Sequence, residues 1–228
     1  MLASLAATAY VATVLLKGGT VIDGLGHIGK KQDVRIQGDR IVAVGRLRSK
    51  HGETVIDAKG LIVCPGFIDA HSHADGGIDK EPTAISQVTQ GVTTAVVGQD
   101  GIWSKPVSER LVDLEGYKPA INFAMFSGAG GIRGEVMGKD YERAAKPEEV
   151  AKMEALVEAD MKAGAIGVST GLEYDPGHYS TTEELVSLAK VAAKYHGMYI
   201  SHVRDEGNGA LDSFKELIRI AKEGGLPA

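Results

Sequence analysis

The sequence predicts an α/β protein, in which part of a small β-sandwich subdomain precedes an incomplete (β/α)8 barrel of about five strand-helix units. Up to Val63, apolar and polar residues alternate between glycine-containing turns, a pattern typical of sheet. From Phe67 onward, short apolar runs alternate with amphipathic segments of helical period. Such alternation is typical of parallel strands joined by helices, in a barrel or in a doubly wound sheet.

Residues 10–64 form the predicted β-sandwich subdomain, which is only partial. The segments TVLLKGGTVID, DVRIQGDRIVAVG and ETVIDAKGLIV are rich in β-branched residues. We expect hairpin turns at Lys17-Gly18-Gly19 and at Gly38-Asp39, because glycine adopts the positive φ that such turns require.

Residues 1–9, MLASLAATA, precede the subdomain and end in small residues like a signal-peptidase site, but they lack a basic region. We interpret them as a signal remnant or an N-terminal extension. The protein is therefore expected to be cytoplasmic, or periplasmic or secreted if these residues end a signal peptide. The apolar stretch through Leu16 is shorter than the roughly 20 residues that span a bilayer, so no membrane association is expected.

Residues 65–228 form the predicted barrel portion. Its strands are FIDAHSH, TTAVVGQDG, AINFAMFSG, AIGVSTGLEY and MYISHVRDEG, and a helical segment follows each of them. Pro82 and Pro147 are expected in first helical turns, and Ser180 with Glu183 predicts a capping box. Gly164 and Gly224 are expected where helices end.

Composition narrows the class of partner. The net charge of −5 and the lack of a Lys/Arg cluster disfavour nucleic acid. Cys64 is the only cysteine, so an intramolecular disulfide is excluded.

Polar side chains gather where the predicted strands end. In a parallel α/β sheet these carboxyl ends meet at one edge, where functional residues collect. The strand-end residues, in chain order, are Asp69, His71 and His73; Gln99 and Asp100; Ser127 and Ala129; Ser169, Thr170, Glu173 and Tyr174; and His202, Arg204, Asp205 and Glu206.

His71 and His73 are the strongest candidates for chemistry. Side chains at spacing two point the same way along an extended segment, so the two imidazoles can converge. Imidazole nitrogens and carboxylate oxygens are ligands for zinc and similar ions. The pattern therefore predicts a metal site with Asp100 and His202 as further ligands from other strand ends.

Several stretches together carry a resemblance to a known family. PGFIDAHSH after a β-rich segment resembles the opening of the amidohydrolase superfamily. QGVTTAVVGQDG, the IRGEVMG run, GAIGVSTGLEYDPG and ISHVRDEG resemble, in order and spacing, its N-acyl-D-amino-acid deacylase branch, over nearly the whole chain from about residue 12.

The resemblance implies that His71, His73 and His202 are metal ligands. Asp100 stands where many members of the branch have a cysteine ligand, and Ala129 stands where many have a histidine. Tyr174 matches a tyrosine that contacts substrate. Further candidates for the substrate site are Glu173 and Arg204, and Glu173 and Glu206 are also candidates for orienting ligands. A structural role is favoured for Arg133.

The implied activity is hydrolysis of the amide bond of small N-acyl-D-amino acids by hydroxide that one or two divalent ions, expected to be zinc, activate. The alternatives are another amidohydrolase activity, such as a D-dipeptidase or a hydantoinase-like or dihydroorotase-like cyclic amidase, and a non-catalytic fragment. Those cyclic amidases often carry a bridging lysine on strand four, and AIGVSTGLEY contains none.

The resemblance also places the general-base aspartate on an eighth strand, beyond residue 228. We therefore expect a C-terminal segment to be needed as a partner. The 228-residue chain alone is expected to be poorly soluble and without deacylase turnover, because a closed barrel has eight units.

Overall fold

The computed structural model describes residues 12–228, which form two compact units divided between Pro65 and Gly66. The sequence places this boundary one residue earlier. The expectations for residues 1–9 lie outside the described residues. Within the described part of the chain, every helix is too short or too polar to cross a membrane.

The first unit is a β-sheet without helices in its described residues. The strands are β1 (Thr13–Val21), β2 (Lys30–Gln37), β3 (Arg40–Gly45), β4 (Thr54–Asp57) and β5 (Ile62–Val63). They run in the order β3-β2-β1-β4, with β5 also pairing with β1. β1 is antiparallel to β2 and parallel to β4 and β5.

One of the two predicted hairpin turns is present. Residues 38–39 connect β2 to β3, and Gly38 has φ +59°. The turn predicted at Lys17-Gly18-Gly19 is wrong, because these residues lie inside β1 at a register shift. Gly18 has φ +79° and donates its N–H to the carboxylate of Asp33 at 2.8 Å. Glycine therefore serves here as a bulge within a strand.

The second unit alternates strands and helices. Its elements are β6 (Phe67–Asp69), α1 (Ile85–Val88), β7 (Val92–Val97), α2 (Val107–Tyr117), β8 (Asn122–Met125), β9 (Ser127–Gly128), α3 (Ala129–Met137), α4 (Pro147–Ala163), β10 (Gly167–Gly171), α5 (Thr182–Ala193), β11 (Met198–His202) and α6 (Ala210–Gly224).

All strand pairs of this unit are parallel, and neighbours in space are neighbours in the chain. β6, β7 and β8 form one group, and β9, β10 and β11 form the other. Only Phe126 separates β8 from β9, and its N–H donates to Val97 at 2.9 Å. The order follows the chain without reversal, whereas a doubly wound sheet reverses its strand order.

The core of the second unit lies between these parallel strands and the helices. Val97 and Val168 of the strands are fully buried, as are Ile132, Val157 and Leu188 from α3, α4 and α5. The sequence predicts the five strand-helix units but does not anticipate α3, since its segment AGGIRGEVM is rich in glycine.

Helix ends agree with the sequence in part. Pro147 begins α4, and Gly164 ends it in the left-handed region with φ 109°, as predicted. The capping box at Ser180 is wrong by one residue, because Thr181 caps α5 and accepts the N–H of Glu184 at 3.2 Å. One further expectation fails, because Pro82 precedes the start of α1 by three residues. α6 ends at Gly224, as predicted, and Gly225 after it is left-handed with φ 77°.

A charged cluster holds the start of α4. The Glu149 carboxylate accepts two hydrogen bonds from the Arg143 guanidinium, at 2.8 and 2.7 Å, and one from the Lys146 N–H at 2.7 Å. The bonds from Arg143 and Lys146 lower the pKa of Glu149 from 4.5 to about 2. The ionised carboxylate thus closes the first turn of the helix.

This pKa shift predicts a pH-dependent effect of Glu149→Gln. A carboxyl whose pKa is lowered on folding stabilises the protein above its unfolded pKa, and that contribution is lost as pH falls. The loss of unfolding free energy in the variant should be constant above about pH 4.5 and disappear as pH falls toward about 2. Urea unfolding over this range measures it. Glu148→Gln, at the exposed neighbour, is the control, and a difference that persists at pH 2 would contradict the prediction.

Candidate metal centre

His71 and His73 lie just after β6, whose last residue is Asp69. Between them, Ser72 is buried and donates its N–H to Val96 of β7 at 2.9 Å, while the two imidazoles are half exposed. Side chains therefore still alternate beyond the strand. Both Nε2 atoms approach Oδ2 of Asp100, at 3.3 Å from His71 and 3.0 Å from His73.

The turn after β7 aims Asp100 at the two imidazoles. Asp100 has φ +55°, a left-handed conformation that aspartate tolerates better than most residues, and Gly98 and Gly101 beside it have φ +73° and +74°. The Asp100 side chain is 16% exposed, and its Oδ1 is buried without a hydrogen-bond partner. A buried acceptor without a partner costs about 1–3 kcal/mol, so this oxygen favours a bound cation.

The arrangement fits a divalent ion. One ligand atom each from His71, His73 and Asp100 lies within 4.8 Å of the others. The nitrogen-to-oxygen separations of 3.3 and 3.0 Å are shorter than two metal-ligand bonds of about 2.1 Å, so one ion can contact these atoms together. Two imidazoles with a carboxylate are a donor set that zinc accepts.

Gln99 holds the backbone beside this cluster in place, a role that the sequence analysis missed. Its side chain is fully buried, and Nε2 donates to the carbonyls of Ala70 and Val96, both at 3.1 Å. Ala70 directly precedes His71. The amide therefore ties the end of β6 to β7, and a polar residue at the end of the apolar run TTAVVG was the available signal.

Asp160 of α4 is a second missed residue. It is 2% exposed, and its carboxylate accepts hydrogen bonds from Trp103 Nε1 at 2.8 Å, the Val107 N–H at 2.8 Å and Ser127 Oγ at 2.7 Å. These contacts hold the segment between Asp100 and α2. In the sequence Asp160 resembles any polar helix residue, because its partners are distant in the chain.

His202 at the end of β11 lies in a second group. Its Nε2 is 2.8 Å from Glu173 Oε2 and 3.5 Å from Glu206 Oε1. The hydroxyl of Tyr174 lies 3.1 Å from Nδ1 of the same ring. His202 is not part of the three-residue cluster within 4.8 Å. Its convergence with His71 and His73 on one ion therefore stays a prediction.

Gly171 separates the two groups at the end of β10. A Cβ at this position would collide with the carbonyl oxygen of Asp100 and would lie 2.9 Å from the Tyr174 ring. Desolvation first, and then the charges of Glu173, Asp100 and Glu206, raise the pKa of Tyr174 above its usual value of 10. The phenol therefore keeps its proton at neutral pH and can donate a hydrogen bond.

Arg204, a predicted candidate for the substrate site, contacts protein groups. It pairs with Glu216 at 2.9 Å and donates to the carbonyls of His178 at 2.5 Å and Ser180 at 3.0 Å. Burial raises the pKa of Glu216, but hydrogen bonds from Arg204 and Thr182 outweigh it and lower the pKa overall. These contacts favour a structural role.

Arg133 binds the same loop after β10 as Arg204 does. It is fully buried, pairs with Glu184 at 2.5 Å, and donates to the carbonyls of Tyr141, Arg143 and Tyr179. Together with Arg204 it binds three consecutive carbonyls, at residues 178–180. These two arginines thus anchor the loop that begins with Glu173 and Tyr174, and the structural role favoured for Arg133 agrees with its contacts.

The fold and this cluster define an α/β protein with a candidate metal centre. Residues 54–228 match the family model described as the amidohydrolase family, and the chain belongs to that family. The D-aminoacylase of Alcaligenes xylosoxydans xylosoxydans is 37% identical, over 94% of this chain and 49% of the relative. The N-acyl-D-aspartate deacylase of the same organism is 35% identical, over 93% and 47%. The resemblance found in the sequence is confirmed.

Solved structures of D-aminoacylase and of a related deacylase are similar to this chain as well. A crystal structure of D-aminoacylase has a TM-score of 0.88 and 35% identity, with 94% of this chain and 50% of that chain covered. An N-acyl-D-glutamate deacylase from Bordetella bronchiseptica, complexed with zinc and a phosphonate inhibitor, has a TM-score of 0.89 and 31% identity, with 95% and 50% covered. The chain therefore spans about half the length of these relatives.

We predict that Asp100→Asn weakens zinc binding while leaving the fold intact, because the amide keeps the shape of the carboxylate and loses its charge. Residues that only orient ligands change metal affinity about 10–100-fold, so a direct ligand should cost at least about tenfold. Zinc titration with elemental analysis measures it, and Asp212→Asn, at a side chain 83% exposed on α6, is the control.

Asp100→Cys should retain zinc but bind Mn²⁺ poorly. Equal zinc affinity in Asp100→Asn and wild type would contradict the assignment.

Removing the Arg133 guanidinium should destabilise the second unit strongly. Arg133→Met leaves Glu184 buried without its partner, and such a change costs about 3–5 kcal/mol. Arg219→Met, whose side chain is 44% exposed and pairs with exposed glutamates, should cost less than about 1 kcal/mol. Urea unfolding compares the two. The double variant Arg133→Met, Glu184→Leu should recover much of the loss, and similar losses for Arg133→Met and Arg219→Met would contradict the prediction.

Proposed function

We propose that the protein is a metal-dependent amidohydrolase that cleaves N-acyl-D-amino acids into a carboxylic acid and a D-amino acid. The observation that carries this proposal is the convergence of His71, His73 and Asp100, with one buried carboxylate oxygen left without a partner. It occurs in a chain that is 34–37% identical to three deacylases of D-amino-acid derivatives.

We further propose that the five parallel strand-helix units belong to a (β/α)8 barrel and that the first unit belongs to a β-sandwich. The unreversed strand order supports the barrel. Zinc is the proposed ion, because imidazole and carboxylate suit it and one similar structure was solved with zinc. Asp100 is also a competent ligand for harder ions, since it replaces a thiolate with oxygen.

We assign separate roles in the proposed hydrolysis to individual residues of this chain. His71, His73 and Asp100 hold the ion, which when bound lowers the pKa of water and polarises a carbonyl. The Tyr174 hydroxyl, protonated at neutral pH, donates a hydrogen bond to the oxygen of the substrate amide. Glu173 orients His202 through Nε2 at 2.8 Å. The general base is not assigned, and the aspartate that the resemblance implies stays a prediction.

The cyclic amidases are the weaker candidate. Dihydroorotase of Bacillus subtilis is 36% identical, but over only 44% of this chain. The similar hydantoinase structures are 15–19% identical and show the fold alone. The segment AIGVSTGLEY, which contains β10 and ends at Tyr174, has no lysine, whereas the bridging lysine of such enzymes is expected there.

Paired substrates test the proposal directly. The protein expressed from its whole gene should hydrolyse N-acetyl-D-methionine at least about tenfold faster than the L isomer, the size of discrimination that one misplaced group causes. Chelation should abolish the activity, and added zinc should restore it. Release of the amino acid is measured by amine detection, with elemental analysis of the same sample. Turnover of dihydroorotate or hydantoin in place of these amides, or turnover without metal, would contradict the proposal.

A further inference from the structure

A cavity of about 390 Å³ lies against the candidate metal centre, with both Asp100 and Tyr174 in its wall. Ile102 and Pro176 add apolar surface, and five glycines complete much of the lining. The volume falls within the range of about 300–1,000 Å³ that small-molecule sites occupy. The cavity is therefore large enough for part of a substrate whose reacting amide lies at the metal centre.

Backbone packing makes this wall rigid. A Cβ at Gly171 would collide with the Asp100 carbonyl, one at Gly177 with the Gly171 carbonyl, and one at Gly131 with the Trp103 carbonyl. Main-chain segments from separate strand ends thus touch without side chains between them. Such walls do not adjust by rotamer changes, so the cavity has a preset width.

The charges of the cavity select which half of a substrate fits. The lining contains two carboxylates, Asp100 and Asp175, and no lysine, arginine or histidine. The charge of Asp175 reaches its surroundings, because it is the largest cause of the raised pKa of Tyr179. In the metal-loaded protein Asp100 binds the ion, so Asp175 is the carboxylate of the lining that repels a substrate anion. The amino-acid half of an N-acyl amino acid carries a carboxylate, whereas the acyl half is uncharged.

We propose that this cavity binds the acyl group of the substrate and limits its chain length. The proposal rests on the proposed deacylase function and specifies one subsite of it. Ile102, with 55% of its surface exposed, is the residue whose size sets the free volume, since the glycine walls cannot move. A hydrophobic pocket changes kcat/KM by about 10–200-fold for one methylene group, so kcat/KM should depend strongly on the length of the acyl chain.

The experiment changes Ile102 and varies the acyl group at a fixed amino acid. kcat/KM is measured for N-acetyl-, N-butanoyl- and N-hexanoyl-D-methionine with the zinc-loaded protein. Ile102→Phe should lower the hexanoyl-to-acetyl ratio at least about tenfold, and Ile102→Ala should raise it. The matched controls are Val112→Phe and Val112→Ala, which should leave the ratio unchanged. Val112 lies on α2, is 67% exposed and is outside the cavity wall.

A second series varies the amino acid at fixed acetyl, with D-methionine, D-alanine and D-glutamate. The Ile102 variants should leave these ratios at their wild-type values. Equal effects on every acyl length, or a change in amino-acid preference with acyl preference unchanged, would overturn the assignment.

A binding measurement separates this proposal from the proposed function. If wild type cleaves none of the N-acyl amino acids, the deacylase function is wrong, and hexanamide is titrated against fluorescence of Trp103, the only tryptophan. Saturable binding that weakens in Ile102→Phe but not in Val112→Phe, and that hexanoate does not reproduce, supports an uncharged acyl subsite. No saturable binding, or equal binding of hexanoate, overturns it.

Discussion

The left-handed turn after β7 is the constraint on which the candidate site depends. Gly98, Asp100 and Gly101 all have positive φ, and this places the carboxylate against the imidazoles of His71 and His73. The same turn brings the Asp100 carbonyl against Gly171, where only a glycine fits. One backbone reversal thus creates both the metal cluster and one wall of the neighbouring cavity. Aspartate is suited to this position, since it combines tolerance of positive φ with a metal-binding oxygen.

Buried polar groups, together with the partly buried Arg204, hold this turn and the facing loop in position. Gln99 ties two strand ends, Asp160 binds the segment after Asp100, and Arg133 with Arg204 anchors the loop after β10. Buried polar and charged groups contribute little net stability compared with apolar substitutes, but each is costly to leave without its partner. We therefore infer that they specify the geometry of the strand ends, while the apolar core of the second unit supplies most of its stability.

Asp100 also sets the electrostatics of the candidate centre. A carboxylate is a hard ligand and can bind through two oxygens. Here Oδ2 faces both imidazoles and Oδ1 is buried without a partner. Glu173 and Glu206 add negative charge near Tyr174 and contribute to raising its pKa. The surroundings are thus suited to a cation, and a bound ion would balance a local excess of acid.

The sequence by itself determined the strand-helix alternation, the family, and the candidates His71, His73 and Asp100, because short-range periodicity and local motifs carry that information. It placed the hairpin turn at Gly38-Asp39 correctly and misplaced the one at Lys17-Gly18-Gly19, since a glycine pair suits a bulge as well as a turn. Only the tertiary structure decided that Arg204 binds backbone carbonyls and Glu216, and that Gln99 and Asp160 support the centre. Those roles depend on partners distant in the chain, which no local pattern encodes. The same reason explains the cavity, whose walls are glycines that become a site only when separate strand ends meet.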